Sequence, residues 1–189
     1  MFVAGVNTVA STLEWTLLLG AAYPLEQARA RAGAKKANGR QPSPRVQALT
    51  KEVLRFKPPL LLPRMATRDA SIGGFDVPKG HVVYANHWSL TRSPAHWLEA
   101  AAFRPERWLR EESGFDATRG SASGCKFLPY GVGQRACPGT RLAEAELQEV
   151  THTLLRHVRW SKTAPIDLAE DYGLTLSPAV EQRLKFEAV

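Results

Sequence analysis

Phe127-Leu-Pro-Tyr130-Gly131-Val-Gly133-Gln-Arg135-Ala-Cys137-Pro138-Gly139 runs directly into an apolar-periodic stretch that begins at Thr140. A cysteine therefore sits on a glycine-rich loop at the expected start of a helix, with a cation two residues before it. The helix dipole, the loop N–H groups and Arg135 all favour thiolate over thiol at such a place. The glycines permit tight turns and let something flat approach the backbone, and Pro138 is preset for a helix start. Cys137 is built to carry negative charge, as a nucleophile or as a metal ligand.

A nucleophile would call for a general base, and no histidine lies near Cys137 in sequence. A zinc site would call for more soft ligands, yet no Cys-x-x-Cys or His-x-x-x-His pair is present and Cys125 stands twelve residues away. Haem iron asks for a single thiolate, a flat approach and cations for its propionates. The pattern Tyr130-Gly131-x-Gly133-x-Arg135-x-Cys137-x-Gly139 resembles the haem-binding signature of the cytochrome P-450 family. The resemblance implies Cys137 as the axial ligand of haem iron and Arg135 as a propionate partner. It also implies that Gly131 and Gly139 let the backbone lie close to the porphyrin. Tyr130 stands where the signature usually has Phe. Its ring is expected to pack beside the thiolate, and a hydroxyl that reached the sulfur would raise the iron potential.

Three further constellations follow the family order. Glu52-Val-Leu-Arg55 places an acid and a base on one helix face, which by itself reads as an ordinary surface ion pair. Pro105-Glu-Arg107-Trp108 resembles the family's Pro-Glu-Arg-Phe segment, and implies a buried network of Glu52, Arg55 and Arg107. Ala4-Gly5-Val-Asn7-Thr8 resembles the oxygen-binding segment of the family's central helix. There the Ala4-Gly5 position makes room over the haem and the Thr8 hydroxyl steadies dioxygen. Asn7 stands where an acid normally feeds protons, and an amide cannot act as an acid near neutral pH. Arg64 matches the place of a strand residue on a haem propionate, and Ile72 to Gly80 matches the hairpin that follows. None of the five histidines is assigned a ligand role; His87-Trp88 and His96-Trp97 read as packing residues.

Outward from these motifs the chain reads as mainly helical with small sheets, the C-terminal part of the cytochrome P-450 fold in one partial domain over 1–189. Helices are expected at 2–20, 24–36 and 44–56, with Ser43 as a cap and Pro44 at the first helical position. Short strands with Gly and Pro-Lys-Gly turns are expected over 63–86, short helical pieces over 87–124, and strands from Ile166 onward. A helix is expected from Thr140 to about Trp160, with Ala143, Leu147, Val150, Leu154 and Val158 on one face.

The chain has a net charge of +7, spread over arginines with no nucleic-acid motif, so nucleic acid is not an expected partner. Two cysteines build no disulfide framework. The apolar stretch from Met1 to Tyr23 is interrupted by Asn7, Thr8, Ser11, Thr12, Glu14 and Thr16. That argues for a buried functional helix rather than a membrane span of about 20 apolar residues. Its uncapped beginning reads as a helix cut in the middle.

The resemblance implies a haem-thiolate monooxygenase that activates O2 and inserts one oxygen atom into a small apolar substrate. The thiolate pushes electron density to favour O–O cleavage. Electrons would come from a reductase or ferredoxin, with Lys126, Arg135 and Arg141 presenting positive charge to it. The matched portion is less than half of a typical member and lacks the segments that shape a substrate pocket, so exposed apolar surface is expected. Two alternatives stand beside this reading: an inactive haem-binding fragment, and a haem-thiolate enzyme of a different reaction, motivated by Asn7. The Phe103-Arg-Pro-Glu-Arg-Trp108 segment points by analogy to a eukaryotic parent of the endoplasmic reticulum membrane or mitochondrion.

Overall fold

The computed structural model describes residues 2–37, 41–59, 63–109, 127–173 and 175–189. Cys125 and Lys126 lie outside the described residues. Four helices make the body: α1 (Phe2–Ala22), α2 (Pro24–Lys36), α3 (Pro44–Phe56) and α5 (Thr140–His157), with a short α4 (His87–Arg92) between the sheets. Trp15, Leu18 and Leu19 of α1 form the main core with Ala30 and Ala34 of α2, Val46, Leu49 and Val53 of α3, Phe103, Leu155 and Trp160. Ala30 and Ala34 of α2 face inward, so their small side chains let the helix lie close to α3 and α5, while Ala28, Arg29, Ala32, Lys35 and Lys36 stay exposed. Ser43 caps α3 as expected, its hydroxyl accepting from Val46 N, with Pro44 at the first turn. Pro58 and Pro59 end it.

Among the described residues the strands pair antiparallel in twos: β1 (Pro63–Met65) with β4 (Val82–Tyr84), β2 (Ala70–Ile72) with β3 (Phe75–Val77), β5 (Val158–Lys162) with β8 (Leu184–Ala188), and β6 (Glu170–Tyr172) with β7 (Leu176–Pro178). The β2–β3 turn is Gly73-Gly74 with φ of 59° and 85°, between the paired Ile72 and Phe75. Positive φ at both central residues matches the right-handed twist of the flanking strands, so glycine is needed there. Among the described residues no helix is long and apolar enough to cross a membrane.

Four expectations are corrected. The last helix ends at His157, not near Trp160, because the chain turns into β5 and pairs Trp160 with Phe186. There the Trp160 ring is buried against Gly20 and donates to Leu17 O at 2.8 Å, a tertiary gain that overrides local helical periodicity. The buried face of α5 is Leu147, Thr151, His152 and Leu155; Val150 is exposed, since the helix is rotated to meet α1, α2 and α3. Pro138 lies before the helix, with Gly139 at the N-cap position. Of the His-Trp pairs, only Trp97 is buried; Trp88 is exposed beneath the Arg92 guanidinium and His96 is exposed.

Candidate functional site

The cysteine loop is anchored at its front end by Phe127, which is 1% exposed and packs with Leu54, Trp97, Ala100 and Leu147 in a second core cluster. Its own backbone then closes it. Gly131 N donates to Leu128 O at 3.1 Å, Cys137 N to Tyr130 O at 2.8 Å, and Ala136 N to Gly133 O at 3.1 Å. The two tight bends fall at Gly131 (φ 73°) and Gly133 (φ 78°), where an L side chain would be strained. At the helix end the Thr140 hydroxyl donates to Cys137 O at 2.8 Å. Cys137 is left exposed at the crest of this closed loop. A Cβ built on Gly139 would lie 3.8 Å from Cys137 Sγ, in ordinary contact, so the glycine keeps the space beside the sulfur clear.

Arg64, on β1, reaches across to the loop. Its Nη2 donates to Arg135 O at 3.3 Å, which brings the two expected propionate partners side by side, both exposed. For Tyr130, the condition for raising the iron potential through its hydroxyl is not met. Its hydroxyl is buried and, among the described residues, hydrogen-bonds to nothing, so it does not reach the sulfur of Cys137. Burial first, then the charges of Glu144 and Cys137, push its phenol well above the ordinary tyrosine range. It stays a neutral O–H.

On α1, Ala4, Gly5 and Asn7 are exposed and Thr8 is half-buried. The Thr8 hydroxyl donates to Ala4 O at 2.8 Å, so its lone pairs stay free. A Cβ added at Gly5 would meet nothing within 4 Å. One turn further on, Val9 and Leu13 pack on the same cluster that holds Phe127 and Tyr130, which joins this helix to the cysteine loop through shared side chains.

Beneath the loop lies the ionic network. Glu52 and Arg55 are both 0% exposed, as the buried network implied by the resemblance requires and unlike an ordinary surface ion pair. Arg55 Nη2 and Nε hold Glu52 Oε1 and Oε2 at 2.8 and 2.9 Å. The guanidinium also donates to the carbonyls of Thr91, Ala100 and Ala102. Arg107 Nε donates to Glu52 Oε1 at 3.2 Å, and Trp108 Nε1 to Glu52 Oε2 at 2.8 Å. Sequence reasoning missed Trp108. The available signal was an indole where the resembling segment has a phenyl ring, because only the indole carries a donor. Among the described residues no group of three or more His, Cys, Asp and Glu gathers in a way that would hold a metal ion. Cys137 stands as a single sulfur donor.

The family profile described as "Cytochrome P450" matches residues 1–186. The chain belongs to the cytochrome P450 family. Among curated cytochrome P450 relatives and their named activities, it is 33% identical over 198 residues to flavonoid 3'-monooxygenase of Arabidopsis thaliana, covering 95% of this chain and 38% of that protein. It is 33% identical over 201 residues to sugiol synthase of Salvia miltiorrhiza, covering 100% of this chain and 40% of that protein. A zebra fish cytochrome P450 solved with progesterone superposes with a TM-score of 0.85 at 31% identity, over 100% of this chain and 44% of that one. The chain thus spans about two fifths of the length of these cytochrome P450 relatives.

Proposed function

We propose that this chain carries the haem-thiolate portion of a cytochrome P450 monooxygenase, with Cys137 as the residue that would hold the haem iron. The observation that carries the reading is the cysteine loop itself. Its sulfur stands exposed at a crest closed by the Cys137–Tyr130 backbone bond, with Arg64 and Arg135 adjoining it. The residues fit haem: one thiolate donor, two cations for the propionates, and clear space at Gly5 and beside the sulfur at Gly139.

In this reading Cys137 would hold the iron, Arg64 and Arg135 would hold the propionates, and Tyr130, Gly131, Gly139, Ala4 and Gly5 would leave room for the ring. When bound, haem supplies the activation of O2 for insertion of one oxygen atom into an apolar organic substrate. Thr8 keeps its proton on Ala4 O and offers lone pairs to a donor. Asn7 donates and accepts hydrogen bonds but supplies no proton of its own, so proton delivery there would need water or another group. Electrons come from a reductase or ferredoxin, for which the exposed Arg141 offers positive charge.

The test is the spectrum of the reduced, CO-bound protein purified with haem supplied. A strongly red-shifted Soret band, lost in Cys137→Ser, is expected. Haem retention without that shift, or no retention, would favour the inactive-fragment reading instead. Asn7 motivates a reaction other than monooxygenation. If Asn7→Asp leaves product yield and peroxide leakage unchanged, that second reading loses its support.

A further inference from the structure

The two outer edges of the β5–β8 pair differ. In its register Arg159 faces Glu187 and Ser161 faces Lys185, and one residue further out Val189 N donates to His157 O at 3.0 Å. Antiparallel strands alternate hydrogen-bonded and non-hydrogen-bonded pairs. The His157–Val189 bond therefore makes Arg159–Glu187 and Ser161–Lys185 the hydrogen-bonded pairs. The backbone groups of Val158 and Trp160 on β5, and of Leu184, Phe186 and Ala188 on β8, point away from the neighbouring strand. On β5 that edge is closed by α2: Arg31 Nη2 donates to Val158 O at 2.8 Å and Gln27 Nε2 to Trp160 O at 3.0 Å. On β8, among the described residues, nothing takes the outward N–H and C=O groups of Leu184, Phe186 and Ala188. Beside this open edge lies an apolar groove of about 200 Å3 between α1 and β8, lined among others by Leu17, Leu18, Val180, Leu184 and Phe186. Phe186 is 50% exposed there.

We propose that the β8 edge pairs with the β8 edge of a second copy of this chain, antiparallel about Phe186, so that the two β5–β8 pairs join into one continuous sheet. An open strand edge is a template for another strand. A two-fold contact further requires that one patch complement itself, and β8 meets that requirement. Set antiparallel against itself, Leu184-Lys185-Phe186-Glu187-Ala188 places Phe186 opposite the partner's Phe186, Leu184 opposite the partner's Ala188 and Lys185 opposite the partner's Glu187. In this register the outward backbone groups of one copy meet those of the other. Side chains directly opposite share a face, so the two Phe186 rings lie together on the side of the groove and cover its apolar lining.

A lysine on an edge strand ordinarily deters a neighbour. Here Lys185 meets a carboxylate, because Lys185 and Glu187 stand symmetrically about Phe186. Glu187 already pairs with Arg159 and Lys185 of its own chain. The Lys185 side chain is 66% exposed, so it reaches across without leaving a buried contact. A foreign strand would use the same backbone groups, but the alternation of apolar, cationic, apolar, anionic and apolar residues is matched by β8 itself.

The experiment is sedimentation equilibrium of the full 189-residue chain over a dilution series, with amide hydrogen exchange read by NMR at both ends of the series. The mass should rise toward twice that of the monomer with concentration. The amides of Leu184, Phe186 and Ala188 should gain protection in step, while those of Lys185 and Glu187, held by β5, stay protected throughout. Ala188→Pro removes an outward N–H and no bond to β5. It should abolish the rise in mass and leave the Lys185 and Glu187 amides protected. Lys185→Glu should weaken association, and adding Glu187→Lys to it should restore it, because opposite charges face each other again. A chain that stays monomeric overturns the proposal. So does a dimer in which the amides of Leu184, Phe186 and Ala188 exchange as fast as in the monomer, since the contact would then lie elsewhere. A monomer whose outward amides are protected only by an added extended peptide also overturns it, and gives the edge to a foreign strand.

Discussion

Arg55 and Glu52 face each other one turn apart on α3 in a two-point pair, with neither side chain exposed to solvent. Buried pairs of this kind contribute little beyond a well-packed apolar substitute, but removing one partner strands the other charge. Here the stranded group would be a carboxylate that Arg104 N, Arg107 and Trp108 also address.

Arg55→Met is therefore expected to destabilise the chain by about 3–5 kcal/mol, measured by chemical denaturation. The loss includes the carbonyls of Thr91 and Ala100, which would lose the Arg55 donor, while Ala102 O would keep its bond from Arg107 Nη2. A change below about 1 kcal/mol would contradict a dry network.

Trp108→Phe keeps the ring and removes only the indole donor to Glu52 Oε2. The ring should hold its place against Trp97 and Phe127. A cost of about 1–3 kcal/mol is expected from the buried carboxylate oxygen left short of a donor. An unchanged denaturation midpoint would show that solvent replaces the indole.

Gly20→Ala tests the seat of β5 on α1. The new Cβ would lie 2.9 Å from Trp160 Cζ2 and 3.0 Å from Nε1, and that ring is 3% exposed and tied to Leu17 O. A rigid buried ring cannot swing aside, so about 1–3 kcal/mol of overpacking is expected. The companion Gly5→Ala, which meets nothing within 4 Å, should cost no stability in the haem-free chain.

Lys57 predicts an alkaline signature. It is buried, donates to Leu168 O and to Glu170 Oε1 at 2.7 and 2.5 Å, and lies over the Trp15 ring. Burial, with help from Arg92, lowers it from 10.5 despite the pull of Glu170. The folded chain then binds fewer protons than the unfolded chain between the lowered value and 10.5, so stability attributable to Lys57 rises with pH across that window. The wild type should gain on Lys57→Met as pH climbs through it. A constant gap between the two unfolding curves would show that Lys57 does not titrate differently on folding.

Much of this chain was legible without coordinates. The four long helices and the Gly73-Gly74 hairpin follow from periodicity, caps and turn residues. The loop around Cys137 was legible because its glycines, its cysteine and the following helix are neighbours in sequence, and the backbone bonds that close it are local. Less was legible at the end of α5, where helical spacing at Val158 was overruled by pairing with β8.

By itself the sequence determined the cysteine's setting, the element types and the order of the motifs, because these depend on turns, caps and spacings within a few residues. Only the tertiary structure decided which groups lose water. It gave the buried Glu52–Arg55 pair its further partners, the carbonyls of Thr91, Ala100 and Ala102, and brought Trp108 onto the same carboxylate. It buried the Tyr130 hydroxyl away from any partner among the described residues and set Glu26 of α2 near Glu106, far along the chain, beside Arg29. Desolvation and charge pairing are set by whatever arrives from distant segments, and local spacing carries no record of that.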